Sequence, residues 1–313
     1  MGMEDYPRTQ LELEQRFPTD DACKAYLAAL RWPDGFRCPG CDSGDAWEMA
    51  GGLWLCKVCR RQVSVTSGTI FHRAHLPLTL WFRAIWLVTS QKNGVSAMSV
   101  QSVLGLGSYR TAWTWLHKLR RAMVRPGRDK LAGRVEVDES FVGGREPGNE
   151  GRGAETKALV VIAAEEKGRA TGRIRMARIS KATKRSLHGF VKEVIEPGST
   201  VHTDGWASYG GLDGHGYIHE VTALKGKPSD AAVIALPRVH RVASLLKRWL
   251  AGTHQSAVRP EYLDYYLDEF TFRFNRRTSR SRGKLFYRLI QQAVQISPKS
   301  YGEITKPQDM DTG

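Results

Sequence analysis

Apolar residues recur along this chain at two spacings, and the change from one to the other marks out its parts. Residues 20–31 (DDACKAYLAALR) predict a short helix with Thr19 or Asp20 as N-cap, acids in the first turn and Leu27, Ala28 and Leu30 on the apolar side. Trp32, Pro33 and Gly35 stop it. Around Trp47 and Trp54 apolar and polar residues alternate, which predicts a hairpin. From 77 to 123 the spacing is helical. Leu80, Ala84, Leu87 and Val88 mark one face, widened by Trp81, Phe82 and Trp86. Further helices are predicted at 96–104 and 109–123, with turns at 94–96 and 105–108. Pro126, Gly127 and Arg128 read as a linker.

Past the linker the period becomes two. Residues 134–144 (RVEVDESFVGG) alternate and end on a Gly-Gly pair, which predicts a half-buried strand closed by a turn. Residues 145–157 lack apolar anchors and the Gly-Lys-Ser/Thr ending of a phosphate loop, so they read as a mobile loop or hairpin tip. Residues 158–164 (ALVVIAA) predict a buried strand, 173–180 a third strand, 184–195 a helix on Leu187, Phe190, Val191 and Val194, and 200–203 a fourth strand. A meander, a helix, a strand and a later helix follow the order of an α/β fold, a ribonuclease-H-like mixed sheet whose first and fourth strands are neighbours. Helices at 261–274 and 285–294 close the pattern. The expected division is a lead (1–19), a helix with a metal ribbon (20–72), a helix-turn-helix-like segment (73–127), the sheet domain (128–297) and a disordered tail (298–313).

Charge narrows the partners. Among 313 residues, 47 Lys and Arg against 32 Asp and Glu give +15, which suits a polyanion such as nucleic acid. Arg110, His117, Lys118, Arg120 and Arg121 on the third helix would reach a DNA groove if 96–123 is a helix-turn-helix; a plain helical bundle is the alternative. Residues 276–284, with Arg276 and Arg277, suit phosphates and solvent equally. The Tyr262, Tyr265, Tyr266 and Phe270 side chains suit base stacking or a core. No secretory signal opens the chain, and the apolar run at 76–88 is broken by Arg83 and too short for a bilayer. A cytoplasmic, nucleoid-associated protein without a membrane partner is expected.

Cys38-Pro-Gly-Cys41 and Cys56-Lys-Val-Cys59 are two CxxC pairs whose knuckles can converge on one tetrahedral site. Four thiolates leave no open position, so the metal is structural Zn²⁺, with disulfides or a redox pair as the alternatives. Cys23 reads as a buried helix residue. Arg60 and Arg61 follow the second knuckle, in reach of a phosphate or of solvent.

Strand interiors disfavour carboxylates, yet Glu136 and Asp138 share one face of the predicted strand and Glu139 lies beside them. Either the strand holds a hard cation such as Mg²⁺ or it is an edge strand with solvated acids. In the ribonuclease-H-like order Asp204, at the tip of the fourth strand, would face Asp138, and the pair could hold two Mg²⁺ ions.

The runs CPGC, SGTIFH, LPLTLWFRAIWL, GLGSYRTAW, VEVDESFVGG, HTDGWASY and YLDEFTFRFNRR resemble bacterial insertion-sequence transposases of the zinc-ribbon DDE group, the ISXO type. The resemblance spans roughly residues 20–295. It implies an enzyme that binds the terminal inverted repeats of its element in double-stranded DNA, as a homodimer or higher oligomer, and catalyses Mg²⁺-dependent strand cleavage and transfer. It implies Asp138 and Asp204 as catalytic, metal-binding acids, Lys247 as a phosphate-holding residue, and Arg248 among the DNA contacts. The third ligand position, matched on His240-Arg-Val-Ala-Ser244-Leu245-Leu246-Lys247, falls on Leu245, which has no donor atom and implies impaired activity. The competing readings are an inactive or adopted relative that still binds DNA, and RNA processing by the same sheet.

Overall fold

Hydroxyl side chains open most helices of the N-terminal region, because the first backbone N–H groups of a helix need an acceptor. The computed structural model describes residues 5–125, 127–143, 157–223 and 234–306. Thr9 caps α1 (Gln10–Arg16) and Thr19 caps α2 (Asp20–Arg31). The expected hairpin is β1 (Ala46–Met49) and β2 (Leu53–Cys56), extended by β3 (Gln62–Ser64) into a three-stranded antiparallel sheet. Helix α3 (Leu78–Ser90) is buried over far more than one stripe, with Trp81, Phe82, Ile85, Trp86 and Val88 all inside. Ser96 and Ser108 cap α4 (Ala97–Leu104) and α5 (Tyr109–Ala122), and Gly105 ends α4 in the left-handed conformation. Trp81 stacks on Trp115 of α5 with ring centroids 4.0 Å apart.

The second unit is built on β4 (Arg134–Val142), β5 (Ala158–Lys167), β6 (Ala170–Ile179), α6 (Lys184–Val194), β7 (Thr200–Thr203), β8 (Ile218–Val221), α7 (Pro237–His254) and α8 (Leu263–Asn275). Its sheet has the order β6-β5-β4-β7-β8, antiparallel between β6, β5 and β4 and parallel between β4, β7 and β8. This is the ribonuclease-H-like order. Strand β4 is therefore central, which removes the edge-strand reading of its carboxylates. Alternation sends Val135 and Val137 into a core with Leu187, Phe190 and Val191 of α6. The other face, with Val142, Val160 and Ile162, packs against α7 and α8. Tyr265, Tyr266 and Phe270 are buried there, so the aromatic helix is core and not a base-stacking surface.

Two expected boundaries differ. Residues 278–306 form one compact unit with the N-terminal region, whereas residues 127–277 form the sheet unit by themselves, so the latter does not run to 297. Helix α9 (Arg282–Ala293) packs on α3 and α5, where Phe286 meets Phe82 and Trp86. The stretch expected as a tail contains α10 (Tyr301–Thr305), opened by a capping box between Ser300 and Glu303. The loop expected at 145–157 lies outside the described residues except for Lys157. Among the described residues no helix is long and apolar enough to cross a membrane.

Candidate functional site

The four paired cysteines meet. Cys38 and Cys59 sulfurs are 3.5 Å apart, as are those of Cys41 and Cys56. Tetrahedral zinc at about 2.3 Å from each sulfur sets an S–S edge of about 3.8 Å, close to these spacings and far from a disulfide bond. All five cysteines are free, and Cys23 is buried in α2 as expected. Backbone N–H groups point at the sulfurs, as in Gly40 N to Cys38 Sγ at 3.4 Å. Those of Cys59 and Val58 draw the Cys56 thiol down to about 6 against the effect of desolvation, which favours the thiolate a metal needs. Beside the ribbon, Arg60 and Lys57 lie over the exposed Trp47 ring.

In the sheet unit, parallel register sets the acids. Glu136 pairs with His202 at the last pair of the ladder, and Asp138 and Asp204 each lie two residues further along their segments. Asp204 leaves the end of β7, and its Oδ1 accepts the Trp206 N–H at 2.9 Å. Glu139 points to the other face, where its carboxylate accepts a 2.7 Å bond from the buried Tyr209 hydroxyl. Burial, and then the Glu139 charge, push that phenol well above its ordinary value, so it stays a donor. Glu139 is thus held away from the Asp138 face.

Glu136 has a role that the sequence did not disclose. Its carboxylate is fully buried, and Oε2 accepts the N–H groups of Arg238 and Val239 at 2.7 and 3.0 Å, while Oε1 accepts Arg238 Nη1 at 2.7 Å. Helix α7 has no side-chain cap of its own, only Leu236 at the N-cap and Pro237 after it. The strand supplies the missing cap. The next residue, His240, is thereby turned to Asp138, with Nε2 3.5 Å from Oδ2. That nitrogen is buried and makes no hydrogen bond among the described residues. Burial lowers the imidazole's affinity for a proton, opposed by Glu136 and Asp204 and aided by Lys247, so the ring is neutral at pH 7.

Leu245 is elsewhere. Five residues on an α-helix turn about 500°, so Leu245 points about 140° away from His240. It is half-buried against the α7–α8 core beside Trp249, an environment for an alkyl group and not for a ligand. Leu245 therefore does not face Asp138, and the side chain that α7 brings to Asp138 is that of His240. Lys247 lies two turns beyond His240 and lines a cavity with Val142 and Gly143 at the end of β4. Desolvation first, then Lys157, lower its affinity for a proton. Among the described residues only the four cysteines bring three or more such donor atoms within 4.8 Å of one another; the Asp138, Asp204 and His240 set is wider.

The expected DNA contacts divide. Arg120 is 1 % exposed and His117 fully buried, on a helix against which α4, α9 and α10 all pack. Both are corrected to core residues. Arg121 donates to the Ser297 carbonyl, and Lys118 is half-buried. Arg110 remains exposed at the start of α5, its guanidinium 3.8 Å from the Tyr301 ring centroid. Arg248 is exposed on α7. Arg276 lies over the Phe272 ring, and Arg277 donates to the carbonyls of Thr171, Gly172 and Phe274, so these two tie the end of α8 to the sheet unit.

The chain thus carries a cysteine-built ribbon and, separately, a ribonuclease-H-like sheet with Asp138 on its central strand and Asp204 just past a neighbouring one. The comparisons specify the family. Residues 130–275 match the ISXO2-like transposase domain, and residues 18–62 match the transposase zinc-ribbon domain. An uncharacterized protein in transposable element ISH50 of Halobacterium salinarum is 27% identical over 278 residues, covering 82% of this chain and 91% of that protein. The resemblance to zinc-ribbon DDE transposases of insertion sequences is thus borne out, with both characteristic domains present in one chain. Such a domain implies DNA binding and, in general terms, an enzyme that cuts and transfers DNA.

Proposed function

We propose that the chain is a DNA transposase that binds the terminal repeats of its element, as a homodimer or higher oligomer, and cuts and joins strands at a divalent-metal site of Asp138, Asp204 and His240. One observation carries this reading: a buried imidazole nitrogen, without a hydrogen bond among the described residues, 3.5 Å from an aspartate on the central strand. Two carboxylates and an imidazole suit a divalent cation, Mg²⁺ for the oxygens and Mn²⁺ where a nitrogen joins them. Such an ion, when bound, polarises the phosphoryl group and offsets charge that develops on it. The chain's own contributions are rigid. Asp138 is fixed on a central strand, His240 by the Glu136 clamp, and Lys247 supplies a cation for a phosphate oxygen. The reading of an inactivated relative rested on Leu245 as a ligand position, and its core packing weakens that reading.

The test is nicking of a duplex carrying the element end, with Mg²⁺ or Mn²⁺ and with chelator. Asp138→Asn and His240→Ala should each lose at least about 100-fold in rate, since a small misplacement at a metal site already costs that much. Leu245→Ala should retain nicking while melting earlier. Nicking that survives in Asp138→Asn, or without any divalent ion, overturns the proposal.

A further inference from the structure

The flank of α7 next to His240 forms a pocket of about 370 Å³ with the turn between β5 and β6. Such a volume falls in the range of about 300–1,000 Å³ typical of sites that hold a small ligand group. Arg169 and Thr171 come from the strand side, and Arg241 and Ser244 from the helix. None of the lining residues is acidic. Arg169 and Arg241 are exposed, and among the described residues neither has an acidic partner. The nearby acids are already engaged. Glu136 is buried on Arg238, and Glu166 is paired with Arg134 at 2.8 Å and lies 3.4 Å from Arg238. Arg238 itself braces the pocket, because its Nη2 donates to the Gly168 carbonyl at 2.8 Å while Nη1 holds Glu136. The charge of Arg241 is felt as far as Arg277, whose affinity for a proton is lowered by burial first and by Arg241 second. The result is a braced concavity with a hydroxyl and two guanidinium groups that have no acidic partner among the described residues, bounded by the same histidine that faces Asp138.

We infer that this pocket is a phosphate subsite, which takes a phosphodiester of the DNA strand adjacent to the one at Asp138. The inference rests on the proposed function for its ligand. Arginine and serine side chains without a stacking aromatic hold a backbone in register and do not read bases. His240 lines this pocket and also lies 3.5 Å from Asp138, so a strand leaving Asp138 along α7 meets Arg241 and Ser244 next. The subsite would set where the strand lies and would not choose its sequence.

The test uses the full chain and fluorescein-labelled duplexes, one carrying the element end and one unrelated, with anisotropy read from about 50 to about 200 mM salt. Arg169→Ala/Arg241→Ala should bind both duplexes about 10-fold more weakly at the low-salt end. The log–log salt slope should become shallower by about 1 to 2, since each phosphate neutralised contributes about 0.9. Arg169→Lys/Arg241→Lys should restore most of the affinity, and Arg169→Glu alone should lose more than Arg169→Ala. Melting curves run alongside identify any variant that fails to fold, and the single variants then carry the measurement. An unchanged slope and affinity in folded variants overturn the subsite. A loss confined to the element-end duplex also overturns it, because that would be base reading. Binding needs no cleavage, so absence of nicking by the parent protein strikes the proposed function and leaves this measurement intact.

Discussion

Replacing Glu136 by Ala removes a carboxylate with no exposure that accepts three hydrogen bonds, two of them from the first turn of α7. Two effects combine. Loss of a helix cap costs about 1 kcal/mol. Breaking the pair with Arg238, whose side chain is only 17% exposed, belongs with broken buried ion pairs, which cost about 3–5 kcal/mol, and the lower end applies because Arg238 keeps the Gly168 carbonyl and Glu166. The two overlap, so we expect about 3–5 kcal/mol in all. For a unit of this size, at about 2–4 °C per kcal/mol, the melting temperature should fall by roughly 6–20 °C. Glu136→Gln keeps the shape and should cost less than half as much, because a neutral acceptor makes weaker bonds than a charged one. Glu136→Leu combined with Arg238→Leu should recover part of the loss, since an apolar pair often replaces a buried ion pair without penalty. Recovery stays incomplete because Arg238 also holds the Gly168 carbonyl. The assay is thermal melting together with hydrogen exchange at the Arg238 and Val239 amides, which should lose protection first. If Glu136→Ala melts within about 1 kcal/mol of the parent, or those two amides keep their protection, the clamp is not what holds α7.

Two further outcomes follow from the N-terminal unit. Metal analysis of purified protein should find about one zinc per chain, and Cys38→Ser should lose it and unfold the ribbon while the sheet unit keeps its own transition; zinc-free native protein would contradict the site. Arg120→Ala should destabilise the unit by about 1–3 kcal/mol as a buried hydrogen-bonding group is lost, yet leave the salt dependence of DNA binding unchanged, whereas Arg110→Ala should weaken binding and flatten it; the reverse pattern would show that α5 meets DNA through its C-terminal half.

Much of this arrangement was legible because it is local. Cysteine spacing disclosed the ribbon, and alternation at 134–142 disclosed the central strand with Asp138 on the same face as Glu136. The meander-helix-strand order then placed the fourth strand, which Asp204 follows, next to it. What was not legible depends on residues far along the chain. Arg120 looks like a surface cation on an amphipathic helix, yet it is buried in a unit that α9 and α10, more than 150 residues later, help to close around α5. Glu136 looks like a metal ligand because its partners are backbone N–H groups 102 and 103 residues away, and no side-chain pattern announces them. Which side chain of α7 meets Asp138 was not legible for a related reason. A motif match fixes a residue's position along a helix, but not which way the helix is turned when it meets the sheet.

That rotation is what Glu136 determines. Strand β4 alternates between two tasks. Val135 and Val137 hold it to α6, while Glu136 and Asp138 face α7 one pleat apart. Because Glu136 takes the amides of Arg238 and Val239, it fixes the helix both in height and in rotation at the residue before His240. A slip of one residue in that grip would turn His240 by about 100° and carry it off Asp138. The acid at 138 and its histidine neighbour are therefore not independent acquisitions of a strand and a distant helix. They are set against each other by a third side chain on the same strand, and the helix that carries the histidine can keep its phase only while that carboxylate remains buried and paired.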